Sequence, residues 1–497
     1  MSQRITIDPI TRLEGHGKIE IFLDDRGEVT RAYLQVPELR GFERFCVGRA
    51  AEEMPRITQR ICGVCPTAHH MASTRALDDL YHVDPPPAAH RIRDLFYSLF
   101  MFEDHTLHFY FLGGPDFIVG PTAPAAERNV LGVIAKVGLE IGGKVIATRK
   151  EARGIMTEMA GKAIHPVFGI AGGVSKPMTK DLAARLQESA PGFVDFAAFS
   201  LQAFADIVLK NQAYVDTILA DHYLHQTHYM GLVDEKRKVT FYRGRVRVVD
   251  PFGDEVAIFE PRDYLKYIAE HVEPWSYIKF PFLKAKGWKG FVDGPDSGLY
   301  RVAPLARLNV ADGMATPRAQ EHYEQMYATL GGKPAHNTLA FHWARLIEAL
   351  QAAEVVEAIS RDPELLDPNV RRLPTQAPDE GVGIVEAPRG TLIHHYKTDP
   401  NGILTGVNLM VATLHNSAPI QMSVERAAKG VIHGGKVDDG LLNMVEMAFR
   451  AYDPCFGCAT HSLPGEMPLV ARIHDNDGSV VRTITRGGEV PELGTGS

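Results

Sequence analysis

Near its start the chain reads Arg60-Ile61-Cys62-Gly63-Val64-Cys65-Pro66-Thr67-Ala68-His69, and near its end it reads Asp453-Pro454-Cys455-Phe456-Gly457-Cys458-Ala459-Thr460-His461. Each stretch holds a Cys-x-x-Cys pair followed by a histidine. A tight turn brings the sulfur atoms of residues i and i+3 together, so each pair can bind one metal ion. The two pairs account for four of the five cysteines. A shared metal site in the core of the fold would therefore join the two ends of the chain.

The spacing alone leaves three kinds of site open: structural zinc, an iron–sulfur cluster, or another soft metal centre. Thiolates suit all three. Zinc ribbons usually keep their cysteine pairs within a few tens of residues of each other, whereas here nearly the whole chain separates them. That separation is unusual for zinc, and it favours an enzyme whose buried cofactor joins two halves of the fold.

The composition bounds the class of protein. The chain has 497 residues, a net charge of -8, 45% hydrophobic residues and 23% charged residues, which is typical of an ordinary globular protein. The negative charge argues against a dedicated nucleic-acid binder. We expect no membrane span, because no apolar run reaches roughly 18 residues. The N-terminus has no apolar signal core, and five cysteines make no disulfide scaffold in so long a chain, so the expected location is the cytoplasm.

Hydrophobic periodicity predicts a mainly helical protein with smaller β regions, an α+β fold. Strands are predicted at 19–23 and 29–36 as a hairpin, at 239–259 as a small β insertion, at 409–413 as a buried run, and at 469–473 and 480–484 as a second hairpin. Helices are predicted from about residue 88 and near 125–159, 182–219 and 318–359. The Pro-rich stretch 361–379 is predicted to be a surface loop.

Three further residues are unremarkable when taken alone. Glu14 lies in a loop next to the glycines that flank His16, and Arg389 lies in the turn-like Glu386–Gly390 stretch. Isolated Glu and Arg side chains are usually exposed, so solvent exposure is the expectation for both. Cys46, the remaining thiol, is expected to be a small buried apolar residue.

Taken together, the motifs resemble the large subunit of nickel–iron hydrogenases. The matching stretches lie in the family's order: Asp8–His16, Arg-Gly-x-Glu at 40–43, the first cysteine stretch, Asp104-His105-x-x-His108-Phe109-Tyr110, Ala-Pro-Arg-Gly at 387–390, and the second cysteine stretch. The Cys-Ala-Thr-His ending and the short length look most like the cytoplasmic multimeric branch. Within it, the methyl-viologen-reducing enzymes that feed heterodisulfide reductase are most similar, followed by the NAD-reducing enzymes. The resemblance implies the large-subunit fold, with a buried metal centre between the N- and C-terminal segments.

The resemblance also implies the cofactor. Four thiolates would hold nickel, with Cys62 and Cys455 as terminal ligands. Cys65 and Cys458 would bridge nickel to an iron that carries one carbon monoxide and two cyanides. Soft thiolates suit both metals.

Residues around the centre are implied in the same way. Arg389 would lie over the open metal position, held by Asp104 and Asp453 through charge-assisted hydrogen bonds. Thr413 would donate a hydrogen bond to a cyanide. Ala412 stands where the family usually has proline, so it departs from the pattern in that ligand pocket.

Two more expectations concern histidines. His69 is expected to donate to a cysteine sulfur rather than to bind metal. Glu43 and His461 match a buried magnesium or iron site of the family, with the Leu409 carbonyl as a third contact. Carboxylate and carbonyl oxygens suit magnesium.

The implied reaction is the reversible heterolytic cleavage of dihydrogen. Its proton would pass to Cys455 or, alternatively, to Arg389, and Glu14 would carry it outward. A carboxylate does this best when partial burial raises its pKa toward neutrality. The alternative function is a dihydrogen sensor with little turnover. Sensors of this type usually lack a C-terminal extension, and residues 462–497 favour the enzyme.

Electrons must leave through partners, because only Cys46 remains once four cysteines hold metal, and a cluster normally takes four. The sequence also has no G-x-G-x-x-G nucleotide-binding unit. The family implies a small subunit with iron–sulfur clusters and further electron-transfer subunits of heterodisulfide-reductase or diaphorase type. It also implies a large-subunit domain over 1–461 and a propeptide over 462–497, which a nickel-dependent maturation protease removes.

Overall fold

The computed structural model describes residues 3–459, 470–474 and 480–485. This part of the chain is rich in helices and carries several small sheets, which confirms the expected α+β class. The α-helices are α1 Phe42–Cys46, α2 Met54–Ile57, α3 Pro66–Leu80, α4 Pro87–Leu107, α5 Pro115–Ile118, α6 Val130–Val137, α7 Leu139–Ala160, α8 Lys180–Phe204, α9 Gln212–Leu219, α10 Tyr264–Tyr267, α11 Pro304–Val310, α12 Pro317–Thr329, α13 Phe341–Ser360, α14 Ala412–His415, α15 Ser417–Val431, α16 Asp439–Arg450 and α17 Phe456–Ala459.

Within these described ranges, six small sheets contain the strands. They are, in sheet order, β1 Gln3–Ile7, β2 Lys18–Leu23 and β3 Val29–Gln35; β4 Gly169–Ile170 and β5 Gly173–Val174; β11 Tyr300–Arg301, β6 His228–Val233, β7 Arg245–Val249 and β8 Glu255–Phe259; β10 Lys279–Leu283 and β9 Ile268–Val272; β12 Glu380–Ala387, β13 Gly390–Thr398 and β14 Leu404–Met410; β15 Val470–His474 and β16 Val480–Thr485. Both predicted hairpins are confirmed, as β2–β3 and β15–β16.

Helix α13 is central to the core, where it packs against both α4 and α8. Helix α3 lies directly on strands β12 and β13. This packing places the first cysteine stretch, at the start of α3, beside the turn between β12 and β13. It therefore brings Arg389, which lies in that turn, close to the cysteines.

Four sequence expectations are corrected. The helix expected over 182–219 is two helices, α8 and α9, because Asn211 adopts an extended conformation and caps the start of α9. The helix expected over 125–159 is two helices, because Gly138 adopts φ 91° between them. The helix expected over 318–359 is interrupted between α12 and α13, because Gly331 and Gly332 follow the end of α12 with φ 85° and 128°. The strand expected over 409–413 ends at Met410, and Ala412 begins helix α14.

One segment of the described chain, Lys180–Leu209, is long and apolar enough to cross a membrane by composition. It comprises α8 and a π-helical extension. Core helices pass the same test, and α8 packs against α13 and α7. Leu186 and Phe196 are buried within that packing, so its apolar face covers the core.

Candidate metal centre

The four paired cysteines converge. Their sulfur atoms all lie within 4.8 Å of one another, and all four residues are buried. Cys62 Sγ lies 3.3 Å from Cys455 Sγ, and Cys65 Sγ lies 3.6 Å from Cys458 Sγ. Helix α3 begins with Pro66, which suits a first helical position, so Cys65 sits immediately before the helix.

The N-terminal loop that carries Glu14 binds the second cysteine stretch. Glu14 accepts a backbone hydrogen bond from Phe456 at 2.9 Å. Gly15 adopts φ 89°, and a Cβ atom there would lie 2.6 Å from the nitrogen of Gly457. Only glycine allows this approach. The glycine beside Glu14 therefore lets the loop reach the metal site.

Arg40, from the Arg-Gly-x-Glu stretch, also joins the two cysteine stretches. Its guanidinium donates to the carbonyl of Ile61, next to Cys62, and to that of Gly457, between Cys455 and Cys458. An arginine keeps its charge under all ordinary conditions. Both halves of the site are thus held by one permanent cation.

The Glu14 side chain is half-buried, contrary to the exposure expected of an isolated glutamate. Its Oε2 atom accepts from the Cys455 thiol at 2.8 Å and from the Gly457 N–H at 3.0 Å. Burial raises the pKa of Glu14, and the nearby Cys62 raises it further. The carboxylate thus touches a metal-site sulfur on one side and is partly accessible to solvent.

Arg389 is buried, also contrary to the exposure expected for the residue alone. Its guanidinium donates to Asp104 at 3.2 Å and to Asp453 at 3.0 Å. Desolvation raises the pKa of Asp453, although Arg389 opposes this effect. Asp453 also adopts φ 57°, a backbone conformation that costs energy for a non-glycine residue. The structure thus brings the three predicted residues together in one buried ionic cluster.

The two residues predicted to line the pocket of the iron's ligands, Ala412 and Thr413, lie at the start of α14. Thr413 Oγ1 accepts from the Cys455 N–H at 2.9 Å. Since a hydroxyl can donate as well as accept, this bond leaves the Thr413 proton available to a ligand. Ala412 is buried beside it.

The residues of the predicted magnesium site are only partly described. Glu43 Oε1 accepts from the Leu409 N–H at 2.7 Å, so the structure brings these two residues together. His461 lies outside the described residues. The magnesium site therefore stays a prediction.

His69 lies next to Cys458, the second cysteine of the C-terminal pair. Its Nε2 atom is 3.5 Å from Cys458 Sγ. Its Nδ1 atom is 3.2 Å from His394 Nε2, a contact that the sequence analysis missed. In the sequence, His394 and Tyr396 alternate along a strand that follows Arg389, and this pattern could have indicated the contact.

A second buried ionic cluster was also missed. Arg307 donates to Glu348 at 2.6 Å and to Glu386 at 2.8 Å, and His105 lies 2.9 Å from Glu348. All four side chains are buried. Glu386 precedes the turn that carries Arg389, so this cluster anchors that turn.

The donor set fits a soft transition metal. Four convergent, buried thiols match the ligand preferences of nickel and iron–sulfur chemistry. An arginine and two carboxylates adjoin the thiols, and a purely structural zinc site requires neither.

This fold and this site together are typical of the catalytic component of a metal-dependent oxidoreductase. The nickel-dependent hydrogenase family matches residues 40–133 and 144–461, and a HoxL-like family matches residues 4–39. The chain belongs to the nickel-dependent hydrogenase large-subunit family, and it is an oxidoreductase that acts on dihydrogen.

Individual relatives agree with this family. An F420-non-reducing hydrogenase iron-sulfur subunit of Archaeoglobus profundus is 48% identical and covers 97% of this chain and 99% of its own. The beta subunit of the NAD-reducing hydrogenase HoxS of Cupriavidus necator is 39% identical over 97% of this chain and 99% of its own. The solved NAD+-reducing [NiFe]-hydrogenase in the H2-reduced state is 38% identical, with a TM-score of 0.87 over 92% of this chain and 99% of that chain. The Ni-Fe-Se hydrogenase of D. vulgaris Hildenborough is 25% identical, with a TM-score of 0.72 over 93% of this chain and 100% of that chain.

Proposed function

We propose that the chain cleaves dihydrogen heterolytically and moves the resulting proton from Cys455 to Glu14. The observation that carries this proposal is the 2.8 Å contact between Cys455 Sγ and Glu14 Oε2, at the edge of the four-thiol cluster. Cys62, Cys65, Cys455 and Cys458 would hold nickel, and Cys65 and Cys458 would also hold iron with one carbon monoxide and two cyanide ligands. When bound, this centre would supply the heterolytic cleavage of dihydrogen into a proton and a hydride, which amounts to two protons and two electrons in all.

The protein groups receive and direct the proton. Cys455 Sγ is the acceptor closest to a partly exposed carboxylate, and Glu14 Oε2 can take the proton across the existing hydrogen bond. Efficient proton transfer needs such contact distances. Arg389 is an alternative acceptor, but Asp104 and Asp453 favour its charged form, and guanidinium groups hardly lose their proton. The geometry therefore favours the thiol.

Arg389, Asp104 and Asp453 orient the site. The guanidinium is held by one carboxylate on each terminal nitrogen, and a planar fork held at two points has a fixed orientation. Thr413 would donate to a cyanide. Glu43, the Leu409 carbonyl and His461 would hold magnesium or iron.

Electrons leave through other subunits in this proposal. The fifth cysteine, Cys46, is buried and cannot hold a cluster alone. A small subunit with iron–sulfur clusters would take the electrons in the cytoplasm, followed by a module of heterodisulfide-reductase type. The similarity to the F420-non-reducing relatives supports that module, and the similarity to the NAD-reducing enzymes supports a diaphorase module as the second candidate.

The test is Glu14→Gln, which keeps the size and a polar end but removes the proton-carrying group. We expect at least about a hundredfold loss of dihydrogen oxidation and of hydrogen–deuterium exchange, with nickel and iron contents unchanged. Glu20→Gln is the control, because Glu20 has a similarly shielded side chain, 13% exposed, on strand β2. Parental exchange rates in Glu14→Gln would rule out the relay, and absence of nickel from active protein would rule out the centre.

A further inference from the structure

A buried row of polar side chains continues from the metal site into the core. His69 lies between Cys458 and His394, as described above. His394 Nδ1 lies 2.6 Å from the Tyr396 hydroxyl, and that hydroxyl donates to Ser73 Oγ at 2.8 Å. The row therefore runs from the Cys458 sulfur through the imidazoles of His69 and His394 and the Tyr396 phenol to Ser73.

The spacing of the two elements explains this row. His69 and Ser73 are one turn apart on α3, about 6 Å along the helix axis. His394 and Tyr396 are two residues apart on β13, about 6.7 Å along the strand and on the same face. Because the spacing along the helix nearly matches the spacing along the strand, the side chains of the two elements interdigitate.

Two glycines on β12 set how close the helix comes. Gly383 is opposite His394 in the strand register, and Gly381 is opposite Tyr396. A Cβ atom at Gly383 would lie 2.1 Å from the carbonyl oxygen of Ala72 on α3. The helix backbone thus occupies the space that side chains on β12 would need, which brings His69 within reach of His394.

The row does not lead protons to solvent through the described residues. His69, Ser73, His394 and Tyr396 are all fully buried. Among the described residues, this hydrogen-bonded chain ends at Ser73 in the core. The contact between Cys455 and Glu14 differs, because the Glu14 carboxylate is partly exposed. Buried polar groups of this kind hold one another in place, because an unmade hydrogen bond in the core is costly.

We infer that His394 and Tyr396 are positioning residues for the metal centre. They fix the His69 imidazole so that Nε2 faces the sulfur of Cys458, and the electron density of that sulfur then depends on the far end of the row. Partners of this kind commonly tune a metal through its ligand. The inference rests on the proposed nickel–iron centre and is independent of the Glu14 relay.

The test uses metal-loaded protein with Tyr396→Phe, which removes one oxygen atom, and with His394→Phe. We expect unchanged nickel and iron contents. The infrared bands of the iron's carbon monoxide and cyanide ligands, the electron paramagnetic resonance spectrum of nickel and the midpoint reduction potential of the centre should all shift. The kcat should fall about tenfold with KM unchanged. If His394→Phe does not fold, Tyr396→Phe carries the test.

Tyr327→Phe is the matched control. Tyr327 is also a buried tyrosine, and its hydroxyl donates to Asn309 at 2.7 Å, so its loss costs one core hydrogen bond without touching the row. Its spectra and potential should equal those of the parent. Parental spectra and potential in metal-loaded Tyr396→Phe would overturn the inference. A parent that holds no nickel would instead overturn the proposed centre.

Discussion

Cys62 Sγ and Cys455 Sγ lie 3.3 Å apart, although 393 positions separate the two residues. The sulfur atoms of Cys65 and Cys458 lie 3.6 Å apart, and these residues are also 393 positions apart in the sequence. Bringing such distant positions together costs loop-closure entropy. A metal that binds only the folded arrangement of thiols offsets that cost. Metal loading should therefore stabilise the whole chain as well as create the active site.

The first prediction separates the paired cysteines from the fifth. Cys65→Ala should lose both nickel and iron and unfold at a lower temperature than the loaded parent. Cys46→Ala should keep both metals, because Cys46 is a buried thiol whose pKa burial raises to about 11, and a buried neutral thiol packs as a small apolar group. Elemental analysis and thermal unfolding provide the measurements. Full nickel occupancy in Cys65→Ala would contradict the four-thiolate site.

The second prediction concerns Arg389→Lys. An ammonium cannot reproduce the planar fork that contacts Asp104 and Asp453, so one buried carboxylate loses its partner. We expect turnover to fall at least about tenfold, with metal content retained. Arg301→Lys is the control, since Arg301 is a fully buried arginine that bonds Thr227 and Tyr229 rather than a carboxylate. Equal losses of turnover in both variants would mean that core packing, and not the fork, matters.

Local patterns predicted those parts of the fold that depend on neighbouring residues. The cysteine pairs, the hairpins and the long helix α4 follow from short-range spacing. The burial of Glu14 and Arg389 does not, because contacts with Cys455 and with Asp104 come from remote parts of the chain. The row through His69 and His394 joins residues 325 positions apart, and a single sequence does not reveal which helix face meets which strand.

The third prediction tests the close approach of α3 to the sheet. Gly383→Ala should destabilise the protein by about 1–3 kcal/mol or more, because the added methyl group meets the backbone of α3 and cannot be accommodated by a rotamer change. Gly406→Ala, on β14, should change stability much less, since its added Cβ would lie 3.7 Å from Lys397. Thermal unfolding of both variants measures the difference. Equal unfolding temperatures of the two variants would show that α3 can shift away from the sheet at little cost.

The fourth prediction concerns acid stability and His70. Its Nδ1–H donates to the Pro55 carbonyl at 3.0 Å, and its Nε2 accepts from the Gly169 N–H at 2.9 Å. This arrangement requires the neutral ring. Burial lowers the pKa of His70 to about 4. The folded state then binds fewer protons than the unfolded state between about pH 4 and about pH 6.5, so stability rises with pH across that window.

The corresponding variant is His70→Gln, which keeps one donor and one acceptor but does not titrate. Its unfolding free energy should depend less on pH between about 4 and about 6.5, by up to about 1.4 kcal/mol per pH unit. Denaturant unfolding at several pH values measures this slope. A variant slope equal to that of the parent would show that His70 does not carry the effect.

The last prediction concerns residues 462–497. The family match ends at residue 461, and the strands β15 and β16 beyond it pair as an antiparallel hairpin, so the segment contains a folded unit. We propose that the segment is retained until metal has been inserted and that a nickel-dependent protease then cuts after His461. Removal would allow His461 to reach the magnesium site near Glu43. The intact mass of nickel-loaded protein should therefore correspond to a chain that ends at His461, whereas Cys65→Ala, which cannot load metal, should keep the full mass. Full hydrogenase activity with the segment still attached would instead identify it as a retained structural hairpin.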